Sequence, residues 1–274
     1  MTDLVQDKFI TLNGLRFHYR DWGDAHVSTI VALHGGTANS HGWDIVSSAL
    51  CDHWRWLALD LRGHGETQWA SEYSVEHMAM DVHAFVRAIG LTNYVLIGHS
   101  MGGAIAYNYA ASHLDEIERL VIVDIAPDVS PAFDRRNDLS LQANDIFDDP
   151  DQVFQTMRAR NQYASDDELR RRAMHNLMQR ADGKWTWRYD RALRGSGKLE
   201  RPKGEPQWQL LSTITCPTLL IKGAESDLLA PETVERMVRT IPNCRVVEIP
   251  RAGHTVTADN PDAFIAALGE FLHA

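Results

Sequence analysis

Apolar positions along the chain fall into two alternating textures. Runs at 28–33, 56–60, 94–97, 120–124, 218–221 and 245–249 are apolar on successive residues and rich in Val, Ile and Leu. That texture predicts strands buried on both faces, as in a parallel sheet. Between them lie segments with helical spacing. Ser74 is placed to cap one, followed by Val75, Met78, Val82, Phe85, Val86 and Ile89 before Gly90. Residues 101–111 are rich in Ala and small side chains, fit for close packing on a sheet. Pro231 and Pro261 each start a further helix. At the N-terminus, 8–12 and 15–22 flank Asn13-Gly14, a dipeptide suited to positive φ at both turn positions, which predicts a hairpin. Strands alternating with helices predict an α/β, doubly wound, mostly parallel sheet.

One stretch breaks the alternation. From 128 to 211 the pattern offers broken helical segments and no convincing buried strand. The stretch holds 15 of the 27 basic residues and 14 of the 37 acidic ones. It is too long for a plain loop, so it predicts a helical cap inserted between core segments 1–127 and 212–274. No internal repeat is found.

Composition narrows the function classes. The chain has 274 residues, 44% hydrophobic and 23% charged, with a formal net charge of −10. This is a globular balance, and an acidic surface repels phosphate backbones and anionic lipid, so neither nucleic acid nor membrane is expected as a partner. Cys51, Cys216 and Cys244 are too few and too scattered for a disulfide framework or a zinc site. No basic segment followed by an apolar stretch opens the chain, so a cytoplasmic protein is expected. Monomer and homodimer both fit.

The sharpest chemical signal is Gly98-His99-Ser100-Met101-Gly102-Gly103, with a strand before it and a helix after it. That is the context of a nucleophile elbow, in which a strained turn projects the serine hydroxyl above the sheet. Serine needs a base, and the base needs an orienting acid. The loop after 218–221 carries Asp227, and the loop after 245–249 carries His254. Loops after the carboxyl ends of parallel strands share one rim, so Ser100, Asp227 and His254 can converge there. Asp124, ending the run at 120–124, is a rival acid. No H-E-x-x-H occurs, and His34, His41, His64 and His99 form no chelating pair at helical spacing, so no catalytic metal is expected.

These landmarks, with His34-Gly35-Gly36, Asp60-Leu61-Arg62-Gly63-His64-Gly65 and Gly253-His254, resemble the α/β-hydrolase superfamily of carboxylesterases, lactonases, perhydrolases and C–C bond hydrolases. The resemblance spans nearly the whole chain. It implies Ser100 as nucleophile, His254 as base and then acid, and Asp227, in the usual loop, as the orienting acid in preference to Asp124. It also implies an oxyanion hole from the backbone N–H groups of Gly36 and Met101. Serine at the elbow argues against the dehalogenases and epoxide hydrolases of this fold, which carry aspartate there. His34-Gly35-Gly36-Thr37 lacks the third glycine of esterases that take bulky alcohols. Trp43 holds a position that often walls the pocket in such enzymes. In the cap, Trp185, Trp187 and Arg188 either line a substrate pocket or pack cap on core. The expected activity is hydrolysis of small to medium carboxylic esters, or lactones, without a cofactor. The same triad also suits a C–C hydrolase of vinylogous diketones, or a small-molecule receptor with little turnover.

Overall fold

The computed structural model describes residues 5–23, 28–130, 144–194 and 202–274. Its centre is an eight-stranded sheet in the order β1-β2-β4-β3-β5-β6-β10-β11. The strands are β1 (Val5–Leu12), β2 (Leu15–Trp22), β3 (Thr29–Leu33), β4 (Arg55–Leu59), β5 (Tyr94–His99), β6 (Ile117–Val123), β10 (Thr218–Gly223) and β11 (Cys244–Ile249). β1 and β2 form the predicted hairpin, with Leu12 opposite Leu15 and both Asn13 (φ 50°) and Gly14 (φ 78°) in the left-handed region. β2 joins β4 antiparallel, and every pairing from β4 to β11 is parallel.

Helices cover both faces. Alternate strand residues Val31, Leu33, Leu57, Leu59, Leu96 and Leu220 pack with α2 (Val75–Ile89), α3 (Met101–Ala110) and Met237. Their neighbours Ile30, Ala32, Trp56, Ala58, Val95 and Ile97 point the other way, onto α1 (Asp44–Leu50) and the C-terminal helix. The period-two swing of side chains across a strand therefore builds two separate cores from continuous apolar runs. Ser74 caps α2 by accepting the His77 N–H, and Gly90 closes it at φ 78°.

The inserted region departs from the expected all-helical cap. It holds α4 (Asp151–Arg160) and α5 (Asp166–Asn176), but also a three-stranded antiparallel sheet of β7 (Ile146–Phe147), β9 (Trp185–Trp187) and β8 (Leu177–Gln179). These strands are two or three residues long, too short to show a strand period in sequence. α6 (Glu205–Leu211) ends the insertion, yet Trp208 and Leu211 are buried in the main core. Parts of the expected cap, 131–143 and 195–201, lie outside the described residues. The remaining helices are α7 (Pro231–Thr240), α8 (Val256–Asp259) and α9 (Pro261–His273). Among the described residues, no helix is long and apolar enough to cross a membrane.

Trp43 is a core residue and not a pocket wall. It is 2% exposed, and its ring lies 6.1 Å from Trp56 and 6.3 Å from Phe264, beneath the sheet. The short 3-10 turn at Ser40–Trp43 rotates the indole inward, where a large apolar ring gains most from leaving water.

The turn at 60–65 is wrapped around one buried carboxylate. Asp60 accepts from Ser40 N (2.6 Å), Glu66 N (2.9 Å) and His18 Nδ1 (2.7 Å). Burial opposes its charge, but His18 and these bonds outweigh it and hold the carboxyl far below the usual range. Burial likewise opposes a charge on His18, and Asp60 overcomes it, raising that ring. Gly65 is obligatory here, because a Cβ would fall 2.0 Å from Asp60 Oδ2. Arg62 ties the turn to α2 through two bonds to Asp81 (2.5 and 2.8 Å), so it sets loop geometry. His64, 1% exposed, donates Nδ1–H to the Arg62 carbonyl, and burial with His34 beside it pushes the ring down to about 3.

Two expectations follow from this packing. Trp43→Ala should lower the unfolding free energy by about 3–5 kcal/mol in urea titrations, the loss typical of a large buried ring; a change below 1 kcal/mol would return Trp43 to the surface of a pocket. The second concerns acid. Unfolded His64 binds a proton near pH 6.5 while the folded ring stays neutral, so the unfolded state carries more protons and its share of stability is lost as pH falls from about 6.5 toward about 3. Asp60 works in the same direction only below about pH 4, whereas His18 has the opposite sign, its contribution being lost as pH rises through its raised value. Across pH 6–4.5, His64→Asn should flatten the decline in unfolding free energy by about 1.4 kcal/mol per pH unit. An unchanged slope would mean that folded His64 protonates freely.

Candidate active site

Ser100 sits where β5 becomes α3, with φ 51° and ψ −116°. A non-glycine residue held there stores about 1–3 kcal/mol, so its surroundings must impose it. They do so through close backbone approach. A Cβ at Gly98 would meet Gly102 O at 2.2 Å, and one at Gly102 would meet Leu33 O at 2.4 Å. The Ser100 N–H donates to Val123 O at 2.9 Å, fixing the turn against β6.

The hydroxyl meets His254 directly. Ser100 Oγ lies 3.0 Å from His254 Nε2, and His254 Nδ1 lies 2.7 Å from Oδ2 of Asp124. A carboxylate can only accept, so Nδ1 carries the proton and the Nε2 lone pair faces the serine. Asp124 follows β6, is fully buried, has φ 49°, and donates its N–H to Ile221 O at 2.8 Å. The Ser226 hydroxyl donates to the same carboxylate oxygen at 2.5 Å.

This corrects the expected acid. Asp227 is exposed, and both ring nitrogens of His254 are occupied without it. The loop after β10 turns Ser226 inward onto Asp124, which directs the next residue outward. The Asp227 carbonyl accepts the Ser130 hydroxyl at 2.5 Å. The sequence offers Asp124 as the rival acid, and its signal is its position at the end of the strand beside β5. Ser226 as a partner of the acid had no sequence signal.

The neighbouring histidines are structural. His99 Nε2 lies 2.8 Å from the His254 carbonyl, which can only accept, so His99 donates there. Burial, with His254 nearby, pushes His99 down to about 3 and keeps it neutral. His34 donates Nδ1–H to Gly35 O (2.8 Å) and accepts Leu61 N–H (3.0 Å), fastening the loop over the elbow. That loop runs close to Ser100, since a Cβ at Gly35 would stand 3.3 Å from Ser100 Cβ. Gly36 follows it and is exposed, while Met101 N opens α3.

The cap residues make their contacts elsewhere. Trp187 packs edge-on against Phe147 (5.4 Å) and beside Tyr189 (5.7 Å), and Trp185 joins the cap's own apolar cluster around Phe154 and Leu169. Arg188 donates Nε–H to Leu177 O at 3.1 Å and faces Glu66. It borders a cavity of about 240 Å³ with His18, Asn39, His41, Asp60 and His175, a lining without any of Ser100, Asp124 and His254. Trp185 and Trp187 thus pack within the cap itself, while Arg188 both bonds the cap backbone and borders that cavity.

His41, Asp44 and His175 also meet, at the seam between core and cap. The two rings stack at 3.6 Å and 14°, so their in-plane lone pairs run parallel and do not converge on one ion. Asp44 is already engaged by Arg20 (3.1 Å), Arg171 (3.0 Å) and His41 (2.8 Å), and two guanidinium groups repel a cation. The cluster reads as a polar weld.

Known proteins fit this geometry. Residues 30–267 match the model of the alpha/beta hydrolase family. The chain is 30% identical to a 3-hydroxybutyrate-oligomer hydrolase from Cupriavidus necator, over 93% of this chain and 92% of that one. It is 29% identical to an N-formylmaleamate deformylase from Pseudomonas putida, over 99% and 98%. An alpha/beta hydrolase of solved structure from Novosphingobium aromaticivorans superposes with a TM-score of 0.85 at 26% identity, over 100% of this chain and 99% of that one. With the family model running from β3 through the elbow and the histidine loop, the chain belongs to the alpha/beta hydrolase family.

Proposed function

We propose that the protein is a serine hydrolase of small to medium carboxylic esters, working through an acyl-enzyme on Ser100. The observation that carries this reading is the unbroken line Ser100 Oγ–His254 Nε2 (3.0 Å), His254 Nδ1–Asp124 Oδ2 (2.7 Å). His254 takes the hydroxyl proton as Ser100 attacks the ester carbonyl. Asp124, buried and desolvated, stabilises the imidazolium and keeps its tautomer. The tetrahedral oxyanion rests on the N–H groups of Gly36 and Met101, the latter at the positive end of α3. One such donor is worth about 3 kcal/mol in the transition state. His254 then gives the proton to the departing alkoxide, and water repeats the sequence to free the acid. No cofactor takes part.

Support for esters comes from the relative named as a 3-hydroxybutyrate-oligomer hydrolase, since oligomers of a hydroxy acid are joined by ester bonds. The three cysteines are free thiols, which suits a reducing cytoplasm.

A chain-length series of p-nitrophenyl esters, acetate to palmitate, with a fluorophosphonate label tests the reading. Short esters should turn over and the label should attach to Ser100. Ser100→Ala and Asp124→Asn should each lower kcat by about 10⁴-fold, while Asp227→Asn, an exposed position, should stay within about threefold. Near-wild-type turnover in Ser100→Ala would remove the serine mechanism. Labelling without ester turnover would move the assignment to C–C bond cleavage or to a receptor.

A further inference from the structure

The backbone on either side of the His254 side chain is held by two hydrogen bonds that come from different layers. On the core side, His99 Nε2–H donates to the His254 carbonyl at 2.8 Å. On the other side, the Gly253 N–H donates to Asp259 Oδ2 at 2.8 Å, and Asp259 Oδ1 accepts from Asn161 Nδ2 at 2.6 Å. Asn161 belongs to the cap, at the end of α4. Its own Oδ1 accepts from Tyr163 N (2.9 Å) and Ala164 N (3.0 Å), so its amino group has to face Asp259.

The carboxylate is a demanding link. Asp259 is 9% exposed, and burial raises its pKa even against these two bonds and the nearby Arg172. A buried carboxylate that loses a donor moves to recover one, and Gly253 moves with it. The cap is fastened at a second point close by, where Arg172 Nη2 donates to Thr257 Oγ1 at 3.0 Å while its Nε holds Glu168 at 2.6 Å.

We propose that Asn161 and Asp259 are positioning residues, through which the docked cap holds the Gly253 amide and so aims the His254 imidazole at Ser100. The proposal rests on the serine-hydrolase reading above. The ring nitrogens of His254 bond Asp124 and Ser100, so Asp259 acts on the ring through the Gly253 amide and, in addition, through the charge it places near the imidazole. Misplacing a catalytic group by about 1 Å can cost about 100-fold in rate. The loss should therefore appear in kcat with KM little changed.

The bond can be inverted. Asn161→Asp sets a carboxylate against Asp259, and Asp259→Asn sets one amino group against another; each single variant should lose about 10- to 100-fold in kcat on a short p-nitrophenyl ester, with KM within about threefold. In Asn161→Asp/Asp259→Asn the donor and acceptor trade places. The new amide still accepts Gly253 N–H and donates to the new carboxylate, so kcat should return to within about threefold of wild type. Single variants at wild-type kcat, or a double variant no better than its parents, would overturn the positioning role. If a single variant fails to fold, the double variant alone decides: kcat within about threefold of wild type supports the positioning role, and a loss of about 10-fold or more overturns it. Ser100→Ala is assayed alongside: if it is inactive, those failures count against the positioning role only, and if it is active the underlying mechanism falls.

Discussion

The site depends on how closely three stretches of backbone pass at the elbow. Gly98, Gly102 and the end of β3 approach to distances no Cβ could occupy, and that crowding forces Ser100 into the left-handed region. The strain is offset by the sheet, because Ser100 N–H bonds β6 and the elbow is bracketed by buried strands on both sides. Fold and site geometry thus share one constraint.

The acid shows how a loop selects among chemically equivalent candidates. Asp124 and Asp227 are both aspartates near the carboxyl ends of neighbouring strands β6 and β10. Which one faces the imidazole is decided by a single residue of phase in the loop after β10. Ser226 is turned inward, and its hydroxyl satisfies the buried Asp124 carboxylate that the imidazole also uses. A buried charge needs such partners, and the serine supplies one without competing for the proton.

Polar contacts also join the layers. Asn39 reaches His175 O and Asn176, Tyr73 reaches Asp190, and Arg171 spans Glu168 and Asp44, all between core and cap. The cap's own apolar cluster is small and borrows Ala258 from α8, the short helix that follows His254. A cap bound this way is linked to the core at the histidine loop as well as at its edges.

By itself the sequence determined the parts that depend on local chemistry. Asn13-Gly14 required a hairpin, Ser74 and Gly90 bounded α2, continuous apolar runs required a covered parallel sheet, and Gly-His-Ser-Met-Gly required the elbow. It also put both aspartates on the correct rim. Only the tertiary structure decided what depends on rotation and long-range contact: that Trp43 turns into the core, that 2–3-residue strands build a sheet in the cap, and that Asp124 meets His254. The physical reason is one of range. Turn and cap energies act over three or four residues, whereas Asp124 and His254 are 130 residues apart and meet only after the sheet has set the direction of every loop on its rim.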